Sequence, residues 1–182
     1  MENKLPTRKQ NRLENHDYSS AGTYFLTICT KRRQNYFWTA EAAEIQPSKK
    51  INKTPFEEEI TENPQEVCLS PMGKIVEEAI QRICVQYPSL FIEGYVIMPD
   101  HIHLILTVCA DEFGQPLPAP TMARVVNQLK GYITKHIGAS IWQKSFFDHV
   151  IRNTQDYEVH MTYIYENPMR WQWSQWEQDT KI

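Results

Sequence analysis

The sequence predicts an α+β fold, a ferredoxin-like split β-α-β antiparallel sheet with an additional C-terminal helix. Three observations predict it. Apolar β-rich runs and amphipathic helical stretches follow one another as strand, helix, strand, strand, helix, strand, helix. The central strands, Leu90–Met98 and His101–Val108, are separated only by Pro99-Asp100, which is too short for a parallel crossover and implies an antiparallel pair. The two helices flanking that pair carry start and stop signals on both sides.

Taken in order, residues 1–20 read as an extended, poorly periodic arm, and Thr23–Thr30 as the first strand, ending in Lys31-Arg32-Arg33. Gln34–Trp38 reads as a short aromatic strand or a turn. Residues 39–66, polar, proline-bearing and acidic, read as a surface insertion, with Val67-Cys68-Leu69 leading back to the core. Ser70-Pro71 supplies an N-cap and a first-turn proline for a helix whose apolar positions Ile75, Val76, Ala79, Ile80 and Ile83 recur at helical spacing until Pro88. Ala110–Pro120 reads as a loop. Thr121 caps a second helix, Met122–Ile137, and Gly138 ends it. Ile141–Ile151 is expected to return to the sheet. A third helix, Gln155–Glu166, is expected to stop near Asn167-Pro168, with the tryptophan-rich tail packing as a last turn over the core.

The 182 residues and their 41% hydrophobic content suit one domain with a surface insertion at about 39–66. No apolar run reaches the roughly 18–20 residues that span a bilayer, and the polar N-terminus lacks an apolar signal region. A soluble, cytoplasmic protein is therefore expected, with no membrane partner. Cys29, Cys68, Cys84 and Cys109 form no C-x-x-C pair, which excludes a zinc ribbon or a thiol redox motif and leaves reduced core thiols. The net charge of −3 hides two basic segments. One runs over residues 1–36 and includes Lys4, Arg8, Lys9, Arg12 and the Lys31–Arg33 cluster. The other runs over 120–154 and includes Arg124, Lys130, Lys135, Lys144 and Arg152. Together they are a candidate phosphate-binding face.

The stretch YVIMPDHIHLIL holds the strongest chemical signal. Side chains two apart on a strand point the same way, so His101 and His103 stand side by side as a pair of nitrogen donors for a divalent metal. Asp100 is placed either to orient a histidine or to cap the Pro99-Asp100 turn. On the third helix, Tyr163 and Asn167 are four apart and share a face. If that face meets the histidines, Asn167 supplies an oxygen ligand and Tyr163 projects toward whatever the metal binds. Tyr157, Tyr165 and His160 compete for such a role on the same helix. The tryptophans Trp142, Trp171, Trp173 and Trp176 read as packing residues.

Three blocks resemble a known family. The HIH of YVIMPDHIHLIL resembles the HUH signature, in which U is hydrophobic. IWQKSFFDHVIRNTQDYEVHMTYIYENPMRW resembles the downstream block, and RLENHDYSSAGTYFLTICTKRR the opening, of REP-associated and related insertion-sequence tyrosine transposases. The likeness spans most of residues 12–171 outside about 39–66. It implies a single-tyrosine, metal-dependent nuclease and strand transferase for single-stranded DNA. By position, Tyr163 becomes the nucleophile and His101, His103 and Asn167 the ligands of Mg²⁺ or Mn²⁺. It also implies a hairpin DNA element as the partner and a monomer or homodimer. Tyr18, Tyr24, Arg32, Arg33, Lys130 and Arg152 are the expected DNA contacts, through base stacking and phosphate binding. Two other readings remain open at this point: a non-catalytic, domesticated hairpin-binding module, and a metallophosphoesterase that uses water in place of tyrosine.

Overall fold

The computed structural model describes residues 21–39, 68–111 and 119–179, with side chains to Ser174. The expected N-terminal arm with Tyr18, nearly all of the insertion at 39–66, most of the Ala110–Pro120 loop and the Trp176 side chain lie outside the described residues.

Four strands, β1 (Gly22–Cys29), β2 (Leu90–Met98), β3 (His101–Val108) and β4 (Phe147–Ile151), form one antiparallel sheet in the order β2-β3-β1-β4. Helices α1 (Pro71–Gln86) and α2 (Met122–Ile137) fall between them as in a split β-α-β fold, and α3 (Thr154–Asp179) closes the chain. The fold class is the one the sequence predicts. Alternation along the strands separates two faces. Tyr24, Leu26 and Ile28 of β1 and Ile102, Leu104 and Leu106 of β3 enter one core with Val76, Ile80 and Ile83 of α1 and Val125, Leu129 and Ile133 of α2. The opposite face carries the candidate site, and α3 packs over it against β2 and β3.

The helix caps follow the sequence signals. Ser70 Oγ accepts from the Gly73 amide at 3.1 Å and donates to the Tyr36 carbonyl at 2.6 Å. Thr121 Oγ1 accepts from Arg124 N at 3.3 Å, and Gly138 ends α2 with a left-handed φ of 77°. The first turn of α1 is also seated against the chain after β1. The Phe37 carbonyl accepts from Ser70 N at 2.8 Å, and a Cβ added to Gly73 would lie 2.2 Å from that same oxygen. Gly73→Ala is therefore expected to destabilise the protein by about 3 kcal/mol through backbone overpacking. In an open helix the same exchange stabilises by up to about 1 kcal/mol. Urea unfolding decides the sign; a midpoint equal to or above wild type would mean that the helix start is not wedged against Phe37.

Three expectations need correction. Ladder pairing in the Ile141–Ile151 stretch is confined to Phe147–Ile151; upstream, Trp142 makes only an isolated bridge to Thr30 and turns its ring into the core. Of the four thiols, Cys29 alone is buried, and Cys68 is exposed. The third helix does not stop at Asn167-Pro168 but runs through Pro168 to Asp179. Proline removes one amide donor and crowds the carbonyl four residues back. Packing beyond the proline offsets that loss: Trp171 meets Trp38 edge-on at a centroid distance of 5.1 Å, and Gln172 is buried. Among the described residues, no helix is long and apolar enough to cross a membrane.

Candidate active site

The register of β1 builds the site. Thr27 lies opposite His103 and Cys29 opposite His101 on one side of the strand; Phe25 lies opposite His149 and Thr27 opposite Phe147 on the other. Directly paired residues share a face, so these side chains line one surface. Helix α3 crosses it. Gly94 sits at a register shift in β2, and a Cβ there would meet Met161 at 3.2 Å, so the absent side chain lets α3 lie close. Two residues further along the helix, the Tyr163 ring stands edge-on to His103 at 5.0 Å and to Phe25 at 6.0 Å. The open pocket between them has a volume of about 610 Å³ and is lined by Phe25, Thr27, Cys29, Arg33, His101, His103, Gln143, Phe147, Val159, His160 and Tyr163.

The two histidines are held differently. His101 Nδ1–H donates to the Asp100 carboxylate, which also pairs with Arg33 Nε at 3.0 Å. Asp100 is thus the orienting carboxylate for His101, and a carboxylate at Nδ1 leaves the lone pair on Nε2. Burial pushes the Asp100 carboxyl up, but the His101 hydrogen bond and the nearby His101 and Arg33 charges bring it below its usual range. His103 is 3% exposed, and its Nδ1 is hydrogen-bonded to Thr27 Oγ1 at 2.8 Å. Its Nε2 is buried with no hydrogen-bond partner among the described residues. Burial first, then the neighbouring His101 and Arg33 charges, lower the His103 pKa to about 3, so the ring is neutral at physiological pH. A neutral imidazole with one nitrogen anchored and the other buried and unpaired fits a metal ligand. An ordinary core histidine would have both nitrogens satisfied.

The remaining candidates are distributed as follows. Tyr163 is 42% exposed and lines the pocket, whereas Tyr165 faces away at 45% exposure and Tyr157 reaches Glu93 at 3.5 Å; neither of the latter lines it. Asn167 is buried one turn beyond Tyr163 and does not line the pocket. Arg33 lines it and donates from Nη1 to Cys29 Sγ at 3.0 Å. Arg32 and Arg33 both adopt left-handed φ, 56° and 54°, in the single 3-10 turn after β1, a conformation sustained only where the surroundings enforce it. Arg32 and Arg152 are exposed. Lys130 donates to the carbonyls of Gln143 at 2.9 Å and Ser145 at 3.0 Å, and burial lowers its pKa; its ammonium ties α2 to the segment before β4. Tyr24 is a correction to the expected DNA contacts. It is 0% exposed in the core, because it alternates in phase with Leu26 and Ile28, and a ring on that face cannot stack on a base. Sequence reasoning missed Phe25, Thr27 and Gln143 as site residues. The first two were detectable, since they alternate out of phase with the core residues of β1.

By architecture this is a ferredoxin-like protein in which a His-x-His strand faces a tyrosine on a C-terminal helix. No family model matches the chain. Over 92% of both chains it is 25% identical to an uncharacterized protein of Haemophilus influenzae. It is 35% identical to the REP-associated tyrosine transposase of Escherichia coli over 45% of this chain and 46% of that one. Its fold matches a solved REP-associated tyrosine transposase bound to a REP hairpin, with a TM-score of 0.57 and 24% identity, covering 87% of this chain and 73% of the other. The chain is thus similar in sequence, over part of its length, to a REP-associated tyrosine transposase, and it shares the fold of a solved one.

Proposed function

We propose that the protein is a metal-dependent single-stranded DNA endonuclease and strand transferase that cleaves at or near hairpin elements through a 5′-phosphotyrosine intermediate. The observation that carries this reading is the contact between Tyr163 and His103, whose Nε2 is buried and unpaired in the same pocket. The solved relative with this fold is bound to a REP hairpin, which supports hairpin DNA as the substrate.

His101 and His103 are the residues that would hold Mg²⁺ or Mn²⁺; Asn167, one turn beyond Tyr163 and outside the pocket lining, would have to turn toward them to serve as the third ligand. Held there, such a cation would supply charge neutralisation at the scissile phosphate. The chain supplies the rest. Asp100 and Thr27 fix the two imidazoles by their Nδ1 atoms. Arg33, held by Asp100, places a guanidinium at the pocket for a phosphate oxygen. Tyr163 Oη gives up its proton to solvent and attacks phosphorus; the Oη–P bond forms, the P–O3′ bond breaks, and the departing 3′ oxygen takes a proton from solvent. The phosphodiester energy is kept in the tyrosine ester, so a second 3′-hydroxyl reverses the step and joins strands without ATP. Tyr163 meets His103 of its own chain, which supports a site complete within one chain. Exposed Arg32 and Arg152 are suited to hold the DNA backbone. Among the described residues, the pocket lining offers a tyrosine hydroxyl beside its histidines and no carboxylate.

The test is covalent capture. Full-length protein is incubated with labelled single-stranded hairpin DNA from around its own gene and Mn²⁺ or Mg²⁺, and the products are resolved on a denaturing gel. A chelator-sensitive protein–DNA adduct is expected. Cleavage without an adduct would indicate hydrolysis, and binding with neither would indicate a domesticated binding module.

A further inference from the structure

A second cluster of metal-ligating groups lies on the same sheet face and shares His160 with the pocket lining. His149 projects from β4 opposite Phe25, and Asp156 and His160 come from the first turns of α3. The His149 Nε2–H donates to the Asp156 carboxylate at 2.9 and 3.1 Å. His160 Nδ1 lies 3.2 Å from Asp156 Oδ1 while donating to the Asp156 carbonyl at 2.8 Å. The two imidazoles stack at 4.7 Å with only 17° between their planes, so their in-plane nitrogens converge on one carboxylate. The donor atoms of the three residues all lie within 4.8 Å of one another.

We propose that His149, Asp156 and His160 form a second divalent-metal site, for a borderline transition ion such as zinc, which fastens the first turns of α3 to β4. The donor chemistry selects the ion. Two imidazoles and one carboxylate suit zinc, cobalt or nickel, whereas magnesium takes oxygen ligands. Zinc bonds of about 2.0–2.1 Å place tetrahedral donors about 3.3 Å apart, and the two imidazole–carboxylate separations are already close to that. Binding requires each neutral imidazole to turn a lone pair toward the ion, so the N–H that now faces Asp156 moves to the other ring nitrogen and the exchange is a change of tautomer with no net proton release. A fourth position stays open to water, because His149 is exposed. Asp156 is held in place independently: it accepts from Arg152 N at 3.1 Å, and its own amide donates to Asn153 Oδ1 at 2.8 Å.

The position gives the site a consequence. His160 precedes Tyr163 by one helical turn, and both rings pack against Phe25. An ion here fixes the stretch of α3 that presents Tyr163 to His103. The proposal does not depend on the nuclease reading, since its measurement is ion content.

The experiment is a Co²⁺ titration of chelator-treated full-length protein, followed by visible absorption, with zinc content measured after gel filtration. Wild type is expected to hold one more equivalent than His149→Ala, with at least about 100-fold weaker binding at this site in the variant. Zinc is expected to raise the wild-type unfolding midpoint more than that of His149→Ala. Asp156→Asn should behave like His149→Ala, and His101→Ala/His103→Ala should keep the extra equivalent. Should the double variant fail to fold, the comparison of His149→Ala with wild type decides alone. Equal stoichiometry and equal zinc-induced shifts in wild type and His149→Ala overturn the proposal and leave the cluster as a histidine–carboxylate network.

Discussion

Tyr163→Phe is expected to abolish the covalent protein–DNA adduct, lowering its yield by at least about 10³-fold, while hairpin binding and folding stay close to wild type. The size follows from removing a nucleophile outright, a loss that positioning and electrostatics do not restore. The selectivity follows from the structure. The exchange deletes one oxygen from a side chain that is 42% exposed, and the phenylalanine ring keeps the edge contacts to His103 and Phe25. Parallel Tyr165→Phe and Tyr157→Phe variants should retain the adduct, because neither ring lines the pocket. Denaturing gels report the adduct, and fluorescence anisotropy with the same hairpin reports binding. An adduct that survives in Tyr163→Phe and disappears in Tyr165→Phe would move the nucleophile to the other side of the helix.

His103→Ala is expected to have the second-largest effect, and it has two separable signatures. Mn²⁺ binding, read by the loss of the free-ion EPR signal, should weaken by at least about 10-fold, and adduct formation should fall with it. Stability should fall as well, by about 2–4 kcal/mol, because the substitution opens a cavity among Phe25, His101 and Tyr163 and leaves Thr27 Oγ1 without its imidazole partner. A pH series separates the signatures. His103 has a folded pKa of about 3 against an ordinary value of 6.5, so between those values the unfolded chain binds a proton that the folded chain does not. Its contribution therefore makes wild-type stability fall as pH drops below about 6.5, and it is constant above that. Removing the ring removes this part of the acid dependence. Unchanged Mn²⁺ binding in a folded His103→Ala protein would eliminate His103 as a ligand.

Much of the architecture is determined by local sequence. The caps at Ser70 and Thr121, the left-handed glycine at Gly138 and the two-residue link at Pro99-Asp100 act over a few residues. The helix and strand boundaries they imply agree closely with α1, α2, β2 and β3. The facing of His101 and His103 is also local, because it is a consequence of strand alternation. Tyr24 was within reach of the same rule, since it shares the phase of Leu26 and Ile28.

Tertiary structure decided what depends on distant partners. That Tyr163, and neither Tyr157 nor Tyr165, meets His103 depends on how α3 lies across β2 at Gly94, a contact between residues far apart in the chain. The orphaned Nε2 of His103, the commitment of Lys130 to loop carbonyls and the meeting of His149 with Asp156 and His160 likewise arise from packing between elements. Pro168 shows the same division of labour. Its local chemistry favours a helix end, and the packing of Trp171 against Trp38 and the burial of Gln172 beyond that point keep the helix running. The sequence determined which groups each element presents; the register of β1 and the seat of α3 determined which of them meet, because those contacts derive their free energy from burying surface between segments distant in the chain.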